Sequence, residues 1–287
     1  VAARPEGAAH NVRGLALFLV QRLRADGTLN VTIRRLKDKI ATRSVPTGEV
    51  ELRGSEAYLL GTPEIGIYLI LETLNVSRVA NSVGSVALAQ RAIADVIRFA
   101  RQRAAFGRPI GEHPLLAQQI AERVEGLRQA WALAWEAAAR LDEVWRETPR
   151  YSDRYHLFRL IAHLAKYWTA EFAAQTAKWA LEVHAGVGTL AETRVERWLR
   201  EAMILAIWEG TPHRQMLDGL EAIQRKGAHR LLVEHLGDAA NPQQMEALMA
   251  RVDDHLALPQ QEQEARIETL FRDLAQFTAR SLLNRRG

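Results

Sequence analysis

The stretch HPLLAQQIAERVEGLRQAWALAWEAAARLDEVW, residues 113–145, decides the fold. Along it Ile120, Val124, Leu127, Trp131, Ala134, Ala138, Leu141 and Trp145 recur at alternating spacings of four and three. That period is the a/d seam of a helix that packs along its length against an antiparallel partner or a neighbouring subunit. His113-Pro114 supplies the start, since proline is tolerated in the first turn of a helix, and Thr148-Pro149 supplies the break.

Comparable segments lie on either side. Upstream, Val79, Val83, Val86, Ile93, Ile97 and Ala100 share one helical face, in a segment read as closing at Gly107-Arg108-Pro109. Downstream, Leu157, Leu160, Ile161, Leu164, Trp168 and Phe172 mark a third long helix ending at Gly186, and a fourth runs from about Arg194 to Ile207. Three long helices and a shorter one, joined by short breaks, predict an antiparallel four-helix bundle. Beyond Gln224 the stripe Ile267, Leu270, Phe271, Leu274 and Phe277 predicts extra C-terminal helices.

The first 60 residues have another texture. Residues 14–20 form a short apolar run, while Val31-Thr32-Ile33 and Glu49-Val50-Glu51-Leu52 alternate or carry β-branched side chains between Gly27, Pro46-Thr47-Gly48 and Gly54. These predict three or four strands joined by turns. The expected organisation is a partial β-domain over 1–62, a helical bundle over 63–224 and a helical tail over 225–287 in a mainly α chain.

Bulk composition narrows the function classes. A 287-residue chain that is 48% hydrophobic can build a sizeable core. Cysteine is absent, which excludes disulfides and thiolate metal sites and fits a cytoplasmic location. No apolar run reaches the length of a membrane span. The net charge of +4 suits anionic ligands such as phosphates, and equally a merely soluble surface. The histidines show no metal-ligand spacing, so no metal is expected. Neither a Gly-x-Gly-x-x-Gly turn after a strand nor a Gly-x-Ser-x-Gly elbow occurs, which argues against a Rossmann cofactor site and a serine hydrolase.

Three segments carry chemistry. In Ile207-Trp208-Glu209-Gly210-Thr211-Pro212-His213-Arg214-Gln215, a glutamate stands between an apolar helix end and a permissive glycine, and Thr211-Pro212 opens the next helix. A carboxylate packed against Trp208 would be partly desolvated, which favours its protonated form and suits a base working near neutrality. On residue chemistry alone an ordinary capping loop is the simpler reading. The segment Arg101-Gln102-Arg103-Ala104-Ala105-Phe106-Gly107-Arg108-Pro109-Ile110 offers cations and an aromatic ring at a helix end, and Glu182-Val183-His184-Ala185-Gly186-Val187-Gly188 offers a turn of small residues. Each of these also reads as a plain helix terminus.

Together, in this order and spacing, the three segments resemble the acyl-CoA dehydrogenase family over about Val1 to Gln224. The first is similar to the family signature of an aromatic residue followed by Glu-Gly-Thr or Glu-Gly-Ser. The resemblance implies an FAD-dependent enzyme of fatty acid metabolism in which Glu209 takes the α-proton of an acyl-CoA thioester while hydride leaves the β-carbon for the flavin. The position where some members carry the base instead is matched here by Ser77, which cannot serve. Arg78 matches an arginine that orders the site, and Asn75, Trp208 and Gly210 fall with it at positions expected to bind substrate. Arg103, Phe106 and Ile110 match the motif Arg-x-x-Phe-Gly-x-x-Ile/Leu and are expected to contact FAD, as are Thr211 and His213. Glu182, Ala185 and Gly186 match the Gln-x-x-Gly-Gly-x-Gly turn that approaches the FAD of a neighbouring subunit. Three departures stand out: Ala105 removes a hydrogen-bonding side chain, and Glu182 and Ala185 replace Gln and Gly.

The resemblance also implies a homo-oligomer, a dimer of dimers, passing electrons to an electron-transfer flavoprotein or similar acceptor. The chain begins where family members are already midway through their β-domain, so an N-terminally truncated piece with weak FAD binding is expected. The spelling of Arg35-Leu36-Lys37-Asp38-Lys39, of residues 42–50 and of Ile-Trp-Glu-Gly lies nearest the DNA-alkylation-response branch. The alternative is therefore a flavoprotein whose main role is nucleic-acid binding. The tail argues against it, because acidic and basic residues there nearly cancel.

Overall fold

The computed structural model describes residues 1–285, and the chain divides into two compact units, 1–76 and 77–287. The first unit is β-rich. Strands β1 (Ala2–Ala3), β2 (Ala16–Leu19) and β5 (Tyr58–Leu60) form an antiparallel sheet in the order β1-β2-β5, with Leu17 opposite both Ala2 and Leu60. A separate ribbon pairs β3 (Thr32–Leu36) with β4 (Gly48–Glu51), with a register shift between Ile33 and Arg35. Asn30 organises the loops between them: it is buried, its Oδ1 accepts from the Glu56 N–H and Arg24 Nε, and its Nδ2 donates to the Gln21 and Glu56 carbonyls. The chain then enters helix α1 (Gly66–Gln102) beside β2. A Cβ on Gly66 would lie 2.4 Å from the Ala16 Cα, so the approach needs glycine.

The second unit holds the rest of α1 and seven further helices: α2 (Pro114–Val144), α3 (Asp153–Gly188), α4 (Val195–Ile207), α5 (Pro212–Lys226), α6 (Ala228–Leu236), α7 (Pro242–Leu256) and α8 (Gln260–Asn284). Their ends follow capping chemistry. Ser152 caps α3 by accepting from the Tyr155 N–H, Asn241 caps α7 from the Gln244 N–H with Pro242 behind it, and Gly227 ends α5 at a φ of 61°. Helix α3 is the axis of the unit. Phe158, Leu160, Ile161 and Leu164 are fully buried in one core with α2 and α5–α8, while Phe172, Ala173, Trp179 and Ala180 join α1, α2 and α4 in a second. The tail is thus part of the main core, where Ile267, Leu270, Phe271 and Leu274 of α8 pack.

Three local expectations need correction. The α2 seam does not bury as a stripe: Val124, Trp131 and Trp145 are 37%, 40% and 58% exposed, whereas Ala130, Leu133, Ala137 and Val144 are buried. In its C-terminal half α2 packs against both α3 and α8, which turns the buried line about one residue (about 100°) from the heptad reading. Trp131 is left to stack on Trp135 at 5.4 Å between ring centroids. Second, α1 stops at Gln102, and 103–110 are not a helix end. A hairpin, β6 (Ala104–Ala105) with β7 (Arg108–Pro109), turns through Phe106 and Gly107 at φ of 52° and 84°. Two consecutive positive φ values give the tight turn whose twist matches a two-residue hairpin. Third, the last turn of α3 continues to Gly188 across a kink at Ala185 (φ 52°, ψ −138°).

Candidate active site

The loop between α4 and α5 is built by its backbone. Trp208 is extended (φ −60°, ψ 151°), Glu209 has a φ of 60° and Gly210 one of 100°. Thr211 then enters α5 at its N-cap, making no side-chain cap bond, with Pro212 in the first turn. A non-glycine residue at positive φ is unfavourable, so Glu209 needs surrounding structure to hold it.

Buried polar groups from three helices supply that hold. Arg78 of α1, 4% exposed, donates from Nε to the Glu209 carbonyl at 3.1 Å. Gln215 of α5, fully buried, donates from Nε2 to the Glu209 carbonyl at 3.0 Å and the Gly210 carbonyl at 3.1 Å. Lys166 of α3, 1% exposed, donates from Nζ to the Ala206 and Gly210 carbonyls, each at 2.7 Å. Behind them, His163 Nδ1 lies 2.9 Å from Gln215 Oε1. Because both Gln215 amide hydrogens serve carbonyls, Oε1 is the acceptor and His163 carries its proton on Nδ1. Asp218 closes the cluster, pairing with Arg78 at 3.1 Å and with Arg214 at 2.5 Å.

Burial governs the ionisation of this cluster. It holds His163 neutral, at a pKa of about 3, with the Arg78 charge adding to the effect. It lowers Lys166 to about 8, with Arg78 pushing the same way and Glu209 opposing. It also lowers Arg78, against the attraction of Asp218.

The Glu209 side chain is half-buried, and its flanks are open within this chain: Ile207 is 55% and Trp208 41% exposed. Arg78, Trp208, Glu209, Gly210 and Thr211 therefore form one locality, while His213 is exposed on the first turn of α5. Asn75 is buried on α1 in the first unit, and Ser77 is half-buried.

The other candidates assemble elsewhere on the second unit. Arg103 is exposed at the base of the β6-β7 hairpin, its carbonyl accepting from the Ile110 N–H. Phe106 stands at the tip, 95% exposed. Glu182, Ala185 and Gly186 are exposed near the end of α3, with Glu182 in an ion pair with Lys178. The two segments share one end of the bundle, because Phe99 stacks on His184 at 4.3 Å. The Glu209 cluster is not at that end. From Arg78 to Phe99 is 21 residues of α1, about 30 Å at 1.5 Å per residue. Within one chain, Glu209 is therefore far from the cofactor candidates of the hairpin and of the end of α3, while Thr211 and His213 lie beside it.

Sequence reading did not pick out Lys166, His163, Asp218 or the role of Gln215. A signal was present: Lys166 and His163 interrupt a run, residues 155–167, that is buried almost throughout. A lysine in a helix buried on all sides needs dedicated partners. Among the described residues no cluster of His, Asp or Glu is arranged to hold a metal ion, and no helix is long and apolar enough to cross a membrane.

Comparison with known proteins agrees with this architecture. Residues 64–224 match the model of the acyl-CoA dehydrogenase C-terminal domain. The putative acyl-CoA dehydrogenase AidB of Escherichia coli is 32% identical over 230 residues, covering 79% of this chain and 41% of its own length. Acyl-CoA dehydrogenase family member 11 of Caenorhabditis elegans is 31% identical over 216 residues, 75% of this chain and 35% of that protein. Among solved structures, the apo form of Bd2924 superposes with a TM-score of 0.89 at 29% identity, over 98% of this chain and 55% of that one. Caenorhabditis elegans ACDH-11 in complex with C11-CoA superposes at 0.77 and 25% identity, over 94% and 50%. The chain spans about half, or less, of the length of these relatives. With the family model covering more than half of it, the chain belongs to the acyl-CoA dehydrogenase family.

Proposed function

We propose that this chain forms the flavin- and acyl-CoA-binding C-terminal part of an FAD-dependent acyl-CoA dehydrogenase, with Glu209 as the base that removes the α-proton of the thioester. The observation that carries the reading is the anchored loop: Arg78, Gln215 and Lys166 hold the carbonyls on both sides of Glu209, at a φ the residue does not adopt freely. Such anchoring keeps a carboxylate where a substrate carbon can meet it, which general base catalysis requires. Relatives support the chemistry, among them the short-chain specific acyl-CoA dehydrogenase of Bos taurus, 28% identical over 211 residues.

The residues present fit the cofactor. Arg101 and Arg103 are exposed and in no ion pair among the described residues, and guanidinium groups match phosphate oxygens. The Phe106 ring is raised into solvent and meets the His113 ring edge-on at 6.2 Å, which leaves its faces open to a group from outside. A Cβ at Gly186 would meet nothing within 4 Å, so backbone there is open to close approach, and Lys178 offsets the charge of Glu182 that would repel a phosphate. FAD, when bound, supplies the acceptor for the hydride lost from the β-carbon. Arg103, Phe106, Ile110, Glu182, Ala185, Gly186, Thr211 and His213 would hold it, while Arg78, Trp208 and Gly210 of the second unit would border the substrate. The separation of about 30 Å along α1 between the Glu209 loop, with Thr211 and His213 beside it, and the candidates of the hairpin and the end of α3 supports a homo-oligomer in which a second copy completes each site. An electron-transfer flavoprotein is the proposed acceptor class, since one relative is the caffeyl-CoA reductase–Etf complex subunit CarC of Acetobacterium woodii, 26% identical over 208 residues.

The test is a titration of the whole flavoprotein with acyl-CoAs of graded length, following flavin absorbance. Glu209→Gln is expected to slow bleaching by on the order of 10²–10⁴-fold. Bleaching at the normal rate would remove Glu209 from the role. The net charge of +4 and the spelling near Lys37 and Trp208, which resembles the DNA-alkylation-response branch, motivate a second reading in which duplex DNA is the main partner. Against it, many cations of the strand ribbon and tail are already engaged, as in Arg34–Glu51, Arg35–Glu49, Arg251–Asp273 and Arg266–Glu262. Salt-dependent duplex binding by a protein that does not bleach with any acyl-CoA would favour it.

A further inference from the structure

We infer that Lys166 is a positioning residue for the Glu209 loop: its buried ammonium bridges the end of α4 and the Gly210 carbonyl, and so fixes where the Glu209 carboxylate is presented. This deepens the reading of Glu209 as the base, and rests on it. The Ala206 carbonyl is among the last four of α4, which have no intrahelical donor. The Gly210 carbonyl lies on the far side of the turn. By bonding both at 2.7 Å, one side chain clips the two ends of the segment that carries Glu209. A surface residue could not do this, because the bonded carbonyls face into the unit, where Lys166 is 1% exposed.

No carboxylate forms an ion pair with Lys166 among the described residues, so its charge is offset mainly by carbonyl dipoles. The groups that face it are Arg78 from α1, which repels it, and Glu209 from the loop, which attracts it. His163, on its own helix, is neutral, and Gln215 of α5 shares the Gly210 carbonyl. Asp218 and Arg214 of α5 act on the cluster through Arg78. Burial lowers Lys166 to about 8, so the ammonium is lost just above neutral pH. The neutral amine still donates, but charge-assisted bonds are about twice as strong as neutral ones. The clip therefore loosens as pH rises through about 8.

The experiment compares wild type with Lys166→Met, Lys166→Arg and Glu209→Gln, reading backbone amide exchange of the peptide covering residues 204–215 and the pH profile of flavin bleaching by acyl-CoA. In wild type, exchange corrected for its intrinsic pH dependence should step up through about pH 8. Lys166→Met should raise exchange in that peptide at neutral pH on the order of tenfold or more, the equivalent of one lost charge-assisted bond. Lys166→Arg keeps a permanent charge, so it should retain protection and abolish the step. Loop exchange in Lys166→Met equal to wild type, or a step near pH 8 that persists in Lys166→Arg, would overturn the inference. If Lys166→Met does not fold, the arginine variant alone decides. Glu209→Gln separates the two readings: it should slow bleaching yet keep an exchange step, moved to lower pH because the attraction of the Glu209 charge for Lys166 is gone. Normal bleaching in that variant would remove the base assignment and leave the clip standing.

Discussion

Arg78 shows what a single buried charge does here. It is 4% exposed, touches the Glu209 carbonyl through Nε and is neutralised by Asp218 through Nη2. Its position in the signature pattern was visible in the sequence, but its partner was not, because Asp218 lies 140 residues away. Removing the carboxylate of such a buried pair takes away the main compensation for a desolvated charge, which costs about 3–5 kcal/mol. Asp218→Ala should therefore lower the unfolding free energy by roughly that amount in urea titration. A loss below about 1 kcal/mol, the scale of surface pairs, would show that solvent already screens the pair. Phe106 makes the opposite point. Its motif was legible, yet its near-complete exposure was not, because exposure depends on a two-residue turn whose φ values the helical reading of 101–107 did not anticipate.

At the level of elements, α3 and α8 were readable because their apolar positions keep helical spacing, and α3 also carries a local cap in Ser152. The buried line of α2 was not, because two neighbours, α3 and α8, choose its inward face. Small residues mark where such packing is tightest. A Cβ on Gly219 of α5 would lie 2.3 Å from Cε2 and 2.7 Å from Cζ of Phe271, a fully buried ring on α8. Gly219→Ala would improve helix propensity by about 1 kcal/mol but force that ring aside, and overpacking costs about 1–3 kcal/mol. The expected outcome is net destabilisation, checked by thermal unfolding, with Phe271→Leu in the same background recovering part of it. A more stable Gly219→Ala would mean that α8 is free to shift away from α5.

For the second unit as a whole, His163 links the loop cluster to acid stability. Its folded pKa is about 3, against about 6.5 when unfolded. Between those values the unfolded chain binds the extra proton, so this stabilisation is complete above about pH 6.5 and is lost as pH falls toward 3. The full effect is on the order of 5 kcal/mol. His163→Gln, which keeps a donor for Gln215, should flatten the fall in unfolding free energy between pH 6.5 and 4 relative to wild type. Coincident pH slopes for the two proteins would contradict this.

Periodicity, caps and motif order were determined by the chain alone, because they depend on neighbours within a turn or two: a mainly α bundle after a β-rich start, and the acyl-CoA dehydrogenase signature around Glu209. Only the tertiary structure decided which cations reach the loop and how far the β6-β7 hairpin and the end of α3 stand from Glu209. Lys166, Arg78 and Gln215 come from three different helices, and the contacts that desolvate them have no period in sequence. Burial and partner choice arise from distant segments meeting, and that is where the chemistry of this loop is set.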